Sequence, residues 1–502
     1  MQLADLVATS AAVAQTRSRK AKVTALAERL GATEPDERAV VVSYLGGALL
    51  QRRTGLGWRG LADLPAPADV PTLQVAEVHD AFERMAALAG AGSAAARSAA
   101  VADLFGRATA DEQQWLRGLV TGELRQGALD SLVQEALAVA AAVPLVAVRR
   151  AAMLAGSTVA IADLAFEGEA TLAEVGLVVG RPVLPMLAAS APSVAEALTK
   201  IGGEVAVDTK LDGIRIQVHR DGDDVRIASR TLDDLTARLP EVVDLVRGLP
   251  AQRVVLDGEA MTLSAEGRPA PFQETASRTA SRGATTARVA PYFFDLLHLD
   301  GRDLLDLPLR DRLAALDALV PEEHRASRLV TSDPGEAETF AAEVLRAGHE
   351  GVVVKSLDAP WEAGRRGSGW VKVKPVHTLD LVVTAVEWGS GRRRGWLSNI
   401  HLAARDPETG GWTMLGKTFK GMTDQMLAWQ TERFQELATG PTDGWVVPVR
   451  PEQVVEIAFD GLQRSTRYPG GLALRFARVV RYRDDKTAAE ADTIETVRSL
   501  AR

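Results

Sequence analysis

The chain has 502 residues, of which 46% are hydrophobic and 25% charged, and its formal net charge is -8. This length suggests about three domains, and the composition excludes collagen-like, disordered and coiled-coil proteins. The sequence contains no cysteine, which excludes disulfides, thiolate zinc sites and a cysteine nucleophile. Because the chain is acidic overall, any binding to nucleic acid must come from local basic patches.

No segment of the sequence is typical of a targeting signal or a membrane anchor. The N-terminus has no basic region ahead of an apolar stretch, as a signal peptide would have. The longest apolar run, residues 136–148, contains Pro144 and is too short to cross a bilayer, so it predicts a buried helix and its exit. We therefore expect a soluble cytoplasmic protein with no membrane contact.

The first part of the chain is rich in Ala and Leu and carries signals for helix starts and ends. Thr109 and Glu112 have the spacing of a capping box, and apolar residues follow at helical spacing. This pattern predicts an all-helical domain over residues 1–180. Residues 181–186 contain two prolines, which do not continue a helix, so they predict a linker.

After the linker the apolar periodicity changes from helical to alternating. Ile214, Ile216 and Val218 alternate with polar residues ahead of a turn at residues 221–222, which predicts a β-hairpin. Further strand-like runs are interleaved with a helical segment, and these pieces cover residues 253–256, 292–299, 309–320, 351–354 and 370–374. Residues 181–376 are therefore predicted to form a mixed α/β domain.

The remainder of the chain, residues 377–502, consists mostly of short strand-like segments with turns between them. One helix is expected around residues 423–437. The size and composition of this region predict a small β-barrel.

Charged side chains stand where the predicted strands of the middle domain begin or end. Lys210-Leu-Asp-Gly213 is weak evidence by itself, because a lysine in a surface hairpin gives the same pattern. Two carboxylates and three more lysines accompany it at strand ends, namely Glu259, Glu350, Lys355, Lys372 and Lys374. Such a set predicts a site for a polyphosphate and a divalent metal ion.

In order and spacing, these motifs resemble those of the covalent nucleotidyltransferases, and most closely the ATP-dependent DNA ligases of the bacterial three-domain type. The resemblance is specific, because six short motifs recur in sequence ahead of a C-terminal block at residues 474–486. The six motifs are Lys210-Leu-Asp-Gly-Ile-Arg215, Ser229-Arg230, Leu256-Asp-Gly-Glu259, Tyr292-Phe-Phe-Asp295, Glu350-Gly-Val-Val-Val-Lys355 and Trp370-Val-Lys-Val-Lys374.

The resemblance implies a multidomain fold and a specific reaction. The fold would be an all-α DNA-binding domain (residues 1–180), an α/β nucleotidyltransferase domain with mixed antiparallel sheets (181–376) and a C-terminal OB-fold β-barrel (377–502). The reaction would be the sealing of 5′-phosphate/3′-hydroxyl nicks in double-stranded DNA, for repair, replication or recombination. The protein would work as a monomer in the bacterial cytoplasm, at the nucleoid.

By the same resemblance, Lys210 would be the catalytic nucleophile, taking AMP from ATP while pyrophosphate leaves. A lysine attacks phosphorus only as the free amine, so we expect Lys210 to lie among cations or to be buried. The cofactors implied are ATP, as substrate, and Mg²⁺ or Mn²⁺.

The resemblance also assigns roles around the nucleotide. Arg215 and Arg230 would hold the ribose and the region of the nick phosphate, and Phe294 would stack on the adenine. Glu259 and Glu350 would engage the sugar or the metal ion, and Asp208 would lie near the adenine amine. Phosphate neutralisation and the remaining nucleotide contacts would come from Lys355, Lys372, Lys374 and Arg365.

The flanking regions receive roles in the same way. In the C-terminal block, Arg478, Arg483, Asp484 and Lys486 would orient pyrophosphate. The basic loop Arg392-Arg-Arg394 is predicted to contact DNA phosphates, and the turn at residues 123–127 to offer backbone amides to DNA.

Other protein classes with a similar core remain as alternatives to the ATP-dependent DNA ligases. The absence of cysteine excludes the four-cysteine zinc site of NAD-dependent ligases. An RNA ligase or RNA-capping guanylyltransferase would use the same lysine, although the long helical region and the Arg-Asp-Asp-Lys ending argue against both. A non-catalytic DNA-binding protein with a degenerate core is the third alternative, and the intact lysine and glutamates argue against it.

Overall fold

The fold is described from a computed structural model. It covers residues 1–124, 126, 130–263, 275, 289–363, 366–390 and 393–500. The chain divides into two compact units, Met1–Lys372 and Val373–Arg502, which are described in turn.

The first unit begins with a helical region, as predicted. Thr109 and Glu112 form the predicted capping box, since each backbone N–H donates to the other side chain at the start of a helix. The described helices of this region are α1 (Leu3–Gln15), α2 (Arg19–Gly31), α3 (Pro35–Leu45), α4 (Val75–Ala87), α5 (Ser93–Gly106), α6 (Ala110–Thr121), α7 (Asp130–Ala140), α8 (Leu145–Ala155), α9 (Ala162–Glu167) and α10 (Glu169–Ala173).

The apolar run at residues 136–148 spans the end of α7, a turn and the start of α8. Among the described residues, no single helix is both long and apolar enough to cross a membrane. The bent pair Leu145–Ala155 and Val159–Glu167 passes that test only when the two helices are taken together, on length and composition alone.

Two antiparallel-rich sheets follow the helical region in the first unit. One sheet has the strand order β1-β10-β9-β2-β8 and the other the order β4-β3-β5-β6-β7. The strands are β1 (Leu187–Ser190), β2 (Val205–Lys210), β3 (Ile214–Asp221), β4 (Asp224–Ser229), β5 (Arg253–Thr262), β6 (Val289–Leu299), β7 (Arg302–Asp303), β8 (Arg328–Thr331), β9 (Gly351–Ser356) and β10 (Arg366–Val373).

The helices that pack with these sheets are α11 (Val194–Ile201), α12 (Pro240–Arg247), α13 (Leu309–Leu319) and α14 (Pro334–Arg346). The predicted hairpin is confirmed, because β3 and β4 pair antiparallel from Ile216–Ser229 to Asp221–Asp224. The mixed α/β prediction for this region is therefore confirmed.

The chain passes from one sheet to the other between β2 and β3, which is where the Lys210 motif lies. Gly213 is needed at this crossing, since a Cβ there would clash with the carbonyl oxygen of Ala260. Gly258 is needed for the same reason, because a Cβ would lie 2.7 Å from the carbonyl oxygen of Tyr292. The glycines of two sequence motifs therefore allow the backbones around the motifs to pack closely.

The predicted linker at residues 181–186 forms neither helix nor strand, as expected. It is nevertheless packed, because Val183 and Met186 are buried and Val183 N–H donates to Gln217 Oε1 over 2.8 Å. The helical region and the α/β region thus belong to one compact unit.

The second unit is a β-rich domain consistent with an OB-fold, as predicted. Its main sheet has the order β13-β12-β11-β15-β18, with β14 paired to β11, and β16 pairs with β17. The predicted helix is α15, which begins after Thr423, whose hydroxyl accepts from Met426 N–H. The elements are β11 (His377–Trp388), β12 (Leu397–Arg405), β13 (Trp412–Thr418), α15 (Asp424–Glu436), β14 (Val446–Pro448), β15 (Val454–Phe459), β16 (Gly461–Arg464), β17 (Leu472–Arg475), β18 (Arg478–Tyr482) and α16 (Ile494–Ser499).

Candidate active site

A cavity of about 450 Å³ opens in the first unit, and both sheets contribute to its walls. Its lining comes from strands β1 to β6, β9 and β10 and from the residues that directly follow β2 and β4. Eight residues predicted to hold ATP or AMP line it, namely Asp208, Lys210, Arg215, Arg230, Glu259, Phe294, Lys355 and Lys372. Residues far apart in the sequence, from Asp208 to Lys372, therefore meet in one cavity.

Lys210 is the last residue of β2 and faces a carboxylate across the sheet. The β2–β9 register pairs Lys210 with Gly351, so Glu350 comes directly beside the lysine. Lys210 Nζ makes an ion pair with Glu350 Oε2, and Glu350 N–H donates to the Lys210 carbonyl oxygen over 3.3 Å. Glu350 lies outside the cavity lining but is brought into contact with the predicted nucleophile.

Glu259 lies opposite Arg215 in the β3–β5 register. Its Oε1 accepts a hydrogen bond of 3.2 Å from Gly213 N–H, which ties it to the glycine of the Lys210 motif. Burial raises the pKa of Glu259 to about 7, although the charges of Lys210 and Arg215 act in the opposite direction. A carboxyl group poised near neutral pH thus stands beside the predicted nucleophile.

Asp208 and Lys355 form a buried ion pair at another wall of the cavity. Lys355 Nζ lies 2.5 Å from Asp208 Oδ2, and both side chains are 2% exposed. Arg328 Nε lies 3.4 Å from the other carboxylate oxygen of Asp208. Because removing a charge from such a pair leaves its partner buried and uncompensated, this arrangement fixes both side chains in place.

Arg215 is held by three hydrogen bonds to two partners. Its Nε and Nη2 donate to the two carboxylate oxygens of Asp257 over 3.1 and 2.6 Å, and its Nη1 donates to the Met186 carbonyl oxygen over 2.6 Å. Burial raises the pKa of Asp257, whereas the adjacent Arg215 charge lowers it. The Arg215 guanidinium is therefore oriented by the protein itself.

Phe294 and Trp370 form the aromatic part of the cavity wall. Their rings meet edge to face with centroids 5.9 Å apart. Lys355 Nζ lies 4.6 Å from the Phe294 centroid and 4.3 Å from that of Trp370. The wall thus offers a flat apolar surface next to a fixed cation, which suits a purine base near phosphates.

Two curated proteins are similar to this chain over nearly its whole length. A "Probable DNA ligase" of Nocardioides sp. (strain ATCC BAA-499 / JS614) is 72% identical, with 99% of this chain and 98% of the relative covered. A second "Probable DNA ligase", from Kineococcus radiotolerans, is 69% identical over the full length of both chains. The chain belongs to the DNA ligase family.

Family profiles match three successive parts of the chain. The "ATP dependent DNA ligase domain" matches residues 185–374, the "DNA ligase N terminus" residues 61–138 and the "ATP dependent DNA ligase C terminal region" residues 393–486. This order confirms the predicted family and its ATP-binding nucleotidyltransferase function.

Solved structures support the fold of this ligase-family chain. The structure titled "Pmar-Lig_Pre." matches with a TM-score of 0.66 at 18% identity and covers 95% of this chain and 99% of its own. The structure titled "Pmar-Lig_PreS3" matches with a TM-score of 0.64 at 19% identity over the same shares of the two chains. The arrangement of elements is therefore shared with these proteins.

The remaining predicted nucleotide ligands are Lys374, which does not line the cavity, and Arg365. Lys374 follows β10 in the second unit, where its Nζ makes an ion pair of 2.6 Å with Asp460. Arg365 lies outside the described residues, as do Arg392 of the predicted DNA-contact loop and Arg125 of the predicted turn.

The four predicted pyrophosphate residues all lie in or beside β18 of the second unit. Arg483 donates to Asp380 over 3.0 and 3.2 Å and to Asp485 over 2.7 and 2.8 Å. Lys486 Nζ also donates to Asp380, over 2.6 Å, and Asp484 accepts from Gln453 over 3.0 Å. Arg478 forms an ion pair of 3.4 Å with Asp460. These four residues therefore have acidic or polar partners within their own unit.

The metal expected for the family has two candidate ligands, Glu259 and Glu350. Within the described residues, no group of three or more His, Asp or Glu side chains has the geometry to hold a metal ion alone. Mg²⁺ is usually held by one or two carboxylates together with substrate phosphates. The pair of glutamates beside Lys210 fits that kind of site.

Two residues that contact the cavity lining from behind are not predicted by the sequence. Asp257 lies inside a recognised motif, but its partnership with Arg215 depends on strand register, which the motif does not reveal. Trp361 is 2% exposed and packs edge to face against Trp370 with centroids 5.6 Å apart. It lies in a segment without helix or strand, so no periodicity in the sequence marks it.

Proposed function

We propose that this protein seals 5′-phosphate/3′-hydroxyl nicks in double-stranded DNA with ATP, through a Lys210–AMP intermediate and then an adenylated DNA end. The observation that carries the proposal is the position of Lys210. It closes β2 at a cavity with an aromatic wall, fixed cations and two adjacent carboxylates.

In the first step, Lys210 Nζ attacks the α-phosphorus of ATP. An N–P bond forms, the bond from the α-phosphorus to its bridging oxygen breaks, and pyrophosphate leaves with the electron pair. Phe294 and Trp370 would accommodate the adenine, Asp208 would accept from its amine, and Arg215 and Arg230 would contact the ribose and the nick phosphate. Lys355 and Lys372 would neutralise phosphate oxygens, which is how proteins promote phosphoryl transfer.

Lys210 must lose its proton before it attacks. The contact with Glu350 stabilises the ammonium form, so nucleotide binding has to weaken that ion pair. A carboxylate oxygen engaged with another cation holds the ammonium less tightly, and the cationic surroundings then favour the free amine.

Mg²⁺, or Mn²⁺ in its place, would be held by Glu259 and Glu350 together with the phosphates of ATP. When bound, the ion would supply positive charge against the leaving pyrophosphate. Glu259 needs to be ionised for this role, and its raised pKa makes that depend on pH near neutrality.

The later steps pass AMP to DNA and then release it. The 5′-phosphate of the nick attacks the phosphorus of Lys210–AMP, which frees the lysine and leaves a pyrophosphate link at the DNA end. The 3′-hydroxyl then attacks the DNA phosphorus, forms the phosphodiester bond and expels AMP. Arg478, Arg483, Asp484 and Lys486 act before these steps, by orienting the pyrophosphate that leaves ATP when Lys210 attacks.

The helical region over residues 1–180 would hold the duplex, and the loop that contains Arg393 and Arg394 would contact its phosphates. The protein would act as a monomer on chromosomal DNA at the nucleoid, in repair, replication or recombination. Such binding should weaken strongly as salt is raised, because it depends on phosphate contacts made by local cations on an acidic chain.

A labelling assay tests the proposal against its alternatives. The protein is incubated with α-labelled ATP, GTP or adenylate-labelled NAD⁺ and Mg²⁺, then denatured and examined for covalent label. The proposal predicts label from ATP alone and conversion of a nicked duplex to a sealed strand. Label from GTP alone would indicate a guanylyltransferase, and no label from any nucleotide would indicate a degenerate core.

A further inference from the structure

The helical region touches the back of the nucleotide cavity through α8. Met153, near the end of α8, is 4% exposed and belongs to a buried apolar cluster with Trp361 and Trp370. This cluster is separate from the main core of the helical region. An element of the helical region is thus built into the core of the α/β region.

Met153 is held by two hydrogen bonds, one to its backbone and one to its side chain. Its carbonyl oxygen accepts from Leu184 N–H over 3.0 Å, and its sulfur accepts from Ala363 N–H over 3.1 Å. Leu184 belongs to the linker before β1, and Ala363 belongs to the segment that carries Trp361. Met153 therefore joins the linker to the segment behind the cavity.

Packed side chains connect Met153 to the cavity wall. Trp361 packs edge to face on Trp370, which lines the cavity, and both rings lie within 6 Å of the Arg215 guanidinium, at 5.9 and 5.6 Å. Arg215 itself is held by the Met186 carbonyl oxygen, at the end of the same linker. The position of two cavity residues thus depends on a chain of buried contacts that starts in α8.

On this basis we propose that Met153 and Trp361 are positioning residues for ATP, so that α8 of the helical region helps to form the nucleotide site before any DNA is bound. The inference rests on the proposed function, since it concerns the lysine-adenylation step. Close packing transmits even small changes in side-chain volume, because a truncated side chain lets its neighbours shift or leaves a cavity.

The test measures the KM for ATP and the maximal rate of Lys210–AMP formation without DNA. Met153→Ala should raise the KM for ATP about threefold to thirtyfold, the range found for packed residues that act on a site without touching its ligand. The maximal rate should change less, since the wall holds ATP similarly before and during the reaction. Met153→Leu should restore most of the lost affinity because it refills the volume.

A matched control separates positioning from general loss of stability. Met85 is also buried, in α4, but belongs to the core of the helical region, which contains no residue of the cavity lining. Met85→Ala should lower the melting temperature as Met153→Ala does, yet leave the KM for ATP at the wild-type value. If Met153→Ala does not fold, Trp361→Phe is the second variant, and it should also raise the KM for ATP.

The two proposals fail in different ways. If wild-type protein forms Lys210–AMP and a folded Met153→Ala variant has the wild-type KM, the positioning role is wrong and the proposed function stands. The same holds if Trp361→Phe, used in its place, has the wild-type KM, or if Met85→Ala raises the KM as much as Met153→Ala does. If wild-type protein forms no covalent adenylate, the proposed function and the positioning role are both overturned.

Discussion

The nucleotide cavity and the C-terminal basic block both gather cations, but they hold them differently. At the cavity, Asp208 and Lys355 are each 2% exposed. In the block, the side chains keep more contact with water than this pair does, with exposures of 41% for Arg478, 61% for Arg481, 14% for Arg483 and 31% for Lys486.

This difference in exposure indicates that the two groups of cations bind phosphates in different ways. A buried pair resists rearrangement because breaking it leaves an unpaired charge away from water, so it can hold a ligand in one orientation. An ion pair near water contributes little to stability, so its members can exchange partners with little loss of free energy. The cavity is therefore suited to orient ATP, and the C-terminal block is suited to bind a phosphate group transiently and release it.

The largest expected effect concerns the nucleophile. Lys210→Ala should abolish covalent labelling from ATP and the sealing of unadenylated nicks, because no other side chain supplies the attacking amine. Sealing of a pre-adenylated nick should be retained, since that step does not use the lysine as a nucleophile. Lys200→Ala, an exposed lysine of α11, is the control and should behave as wild type. Normal sealing of unadenylated nicks by Lys210→Ala would refute the choice of nucleophile.

The contrast between buried and exposed pairs is itself measurable. Arg312 and Asp295, both fully buried behind the cavity, are joined by hydrogen bonds of 2.8 and 3.0 Å. Arg312→Met should lower the free energy of unfolding by about 3–5 kcal/mol, because it leaves the Asp295 charge buried without its partner. Chemical denaturation gives this value directly.

Arg481→Met is the matched variant for the exposed pair, since Arg481 bonds Glu456 over 2.7 Å in the block. It should change the free energy of unfolding by less than about 1 kcal/mol. Equal losses for the two variants would contradict the distinction between buried and exposed ion pairs.

A smaller effect on activity is expected from a substitution in the C-terminal block, and only on the formation of Lys210–AMP. Arg483→Ala should slow Lys210–AMP formation about tenfold or more, as the loss of one charge that stabilises a leaving group does. Sealing of a pre-adenylated nick should be unaffected, because no pyrophosphate leaves there. Arg498→Ala, an exposed arginine of α16, serves as the control. A parallel loss in both steps would show that Arg483 does not act on pyrophosphate.

The last expected effect is a dependence of stability on pH. The pKa of Glu259 is raised from 4.5 to about 7 by burial, so the folded protein retains a proton that the unfolded chain loses. Stability should therefore fall as pH rises between these two values. Between pH 5 and pH 8, the free energy of unfolding should fall less for Glu259→Gln than for wild type, as chemical denaturation at the two pH values would show. Glu323→Gln, an exposed control, should follow wild type, and an identical slope for Glu259→Gln would contradict the assigned burial effect.

Much of the fold follows from local patterns in the sequence. The capping box at Thr109 and the cap at Thr423 begin helices because each hydroxyl accepts from a backbone N–H that the helix leaves unpaired. The alternation from Ile214 produces a hairpin because one face of β3 packs in the core. These features depend on neighbours in sequence, which is why the sequence predicts them.

The cavity could be predicted only in part. Its predicted nucleotide-site residues were identified because the sequence resembles a family pattern, and the structure brings eight of them together. The Trp361 contacts and the Asp257–Arg215 pair depend on distant segments meeting, which no spacing reveals. The packed state of the linker was missed for the same reason, since two prolines indicate an irregular backbone but not whether Val183 is buried.

The most direct test of the account is the chemical position of AMP on the protein. Wild-type protein is incubated with ATP and Mg²⁺, digested at neutral or basic pH and analysed by mass spectrometry. The account predicts one adenylated peptide, with AMP joined to Lys210 through an acid-labile bond to Nζ. AMP on any other residue, or no adenylated peptide in protein that seals nicks, would contradict it.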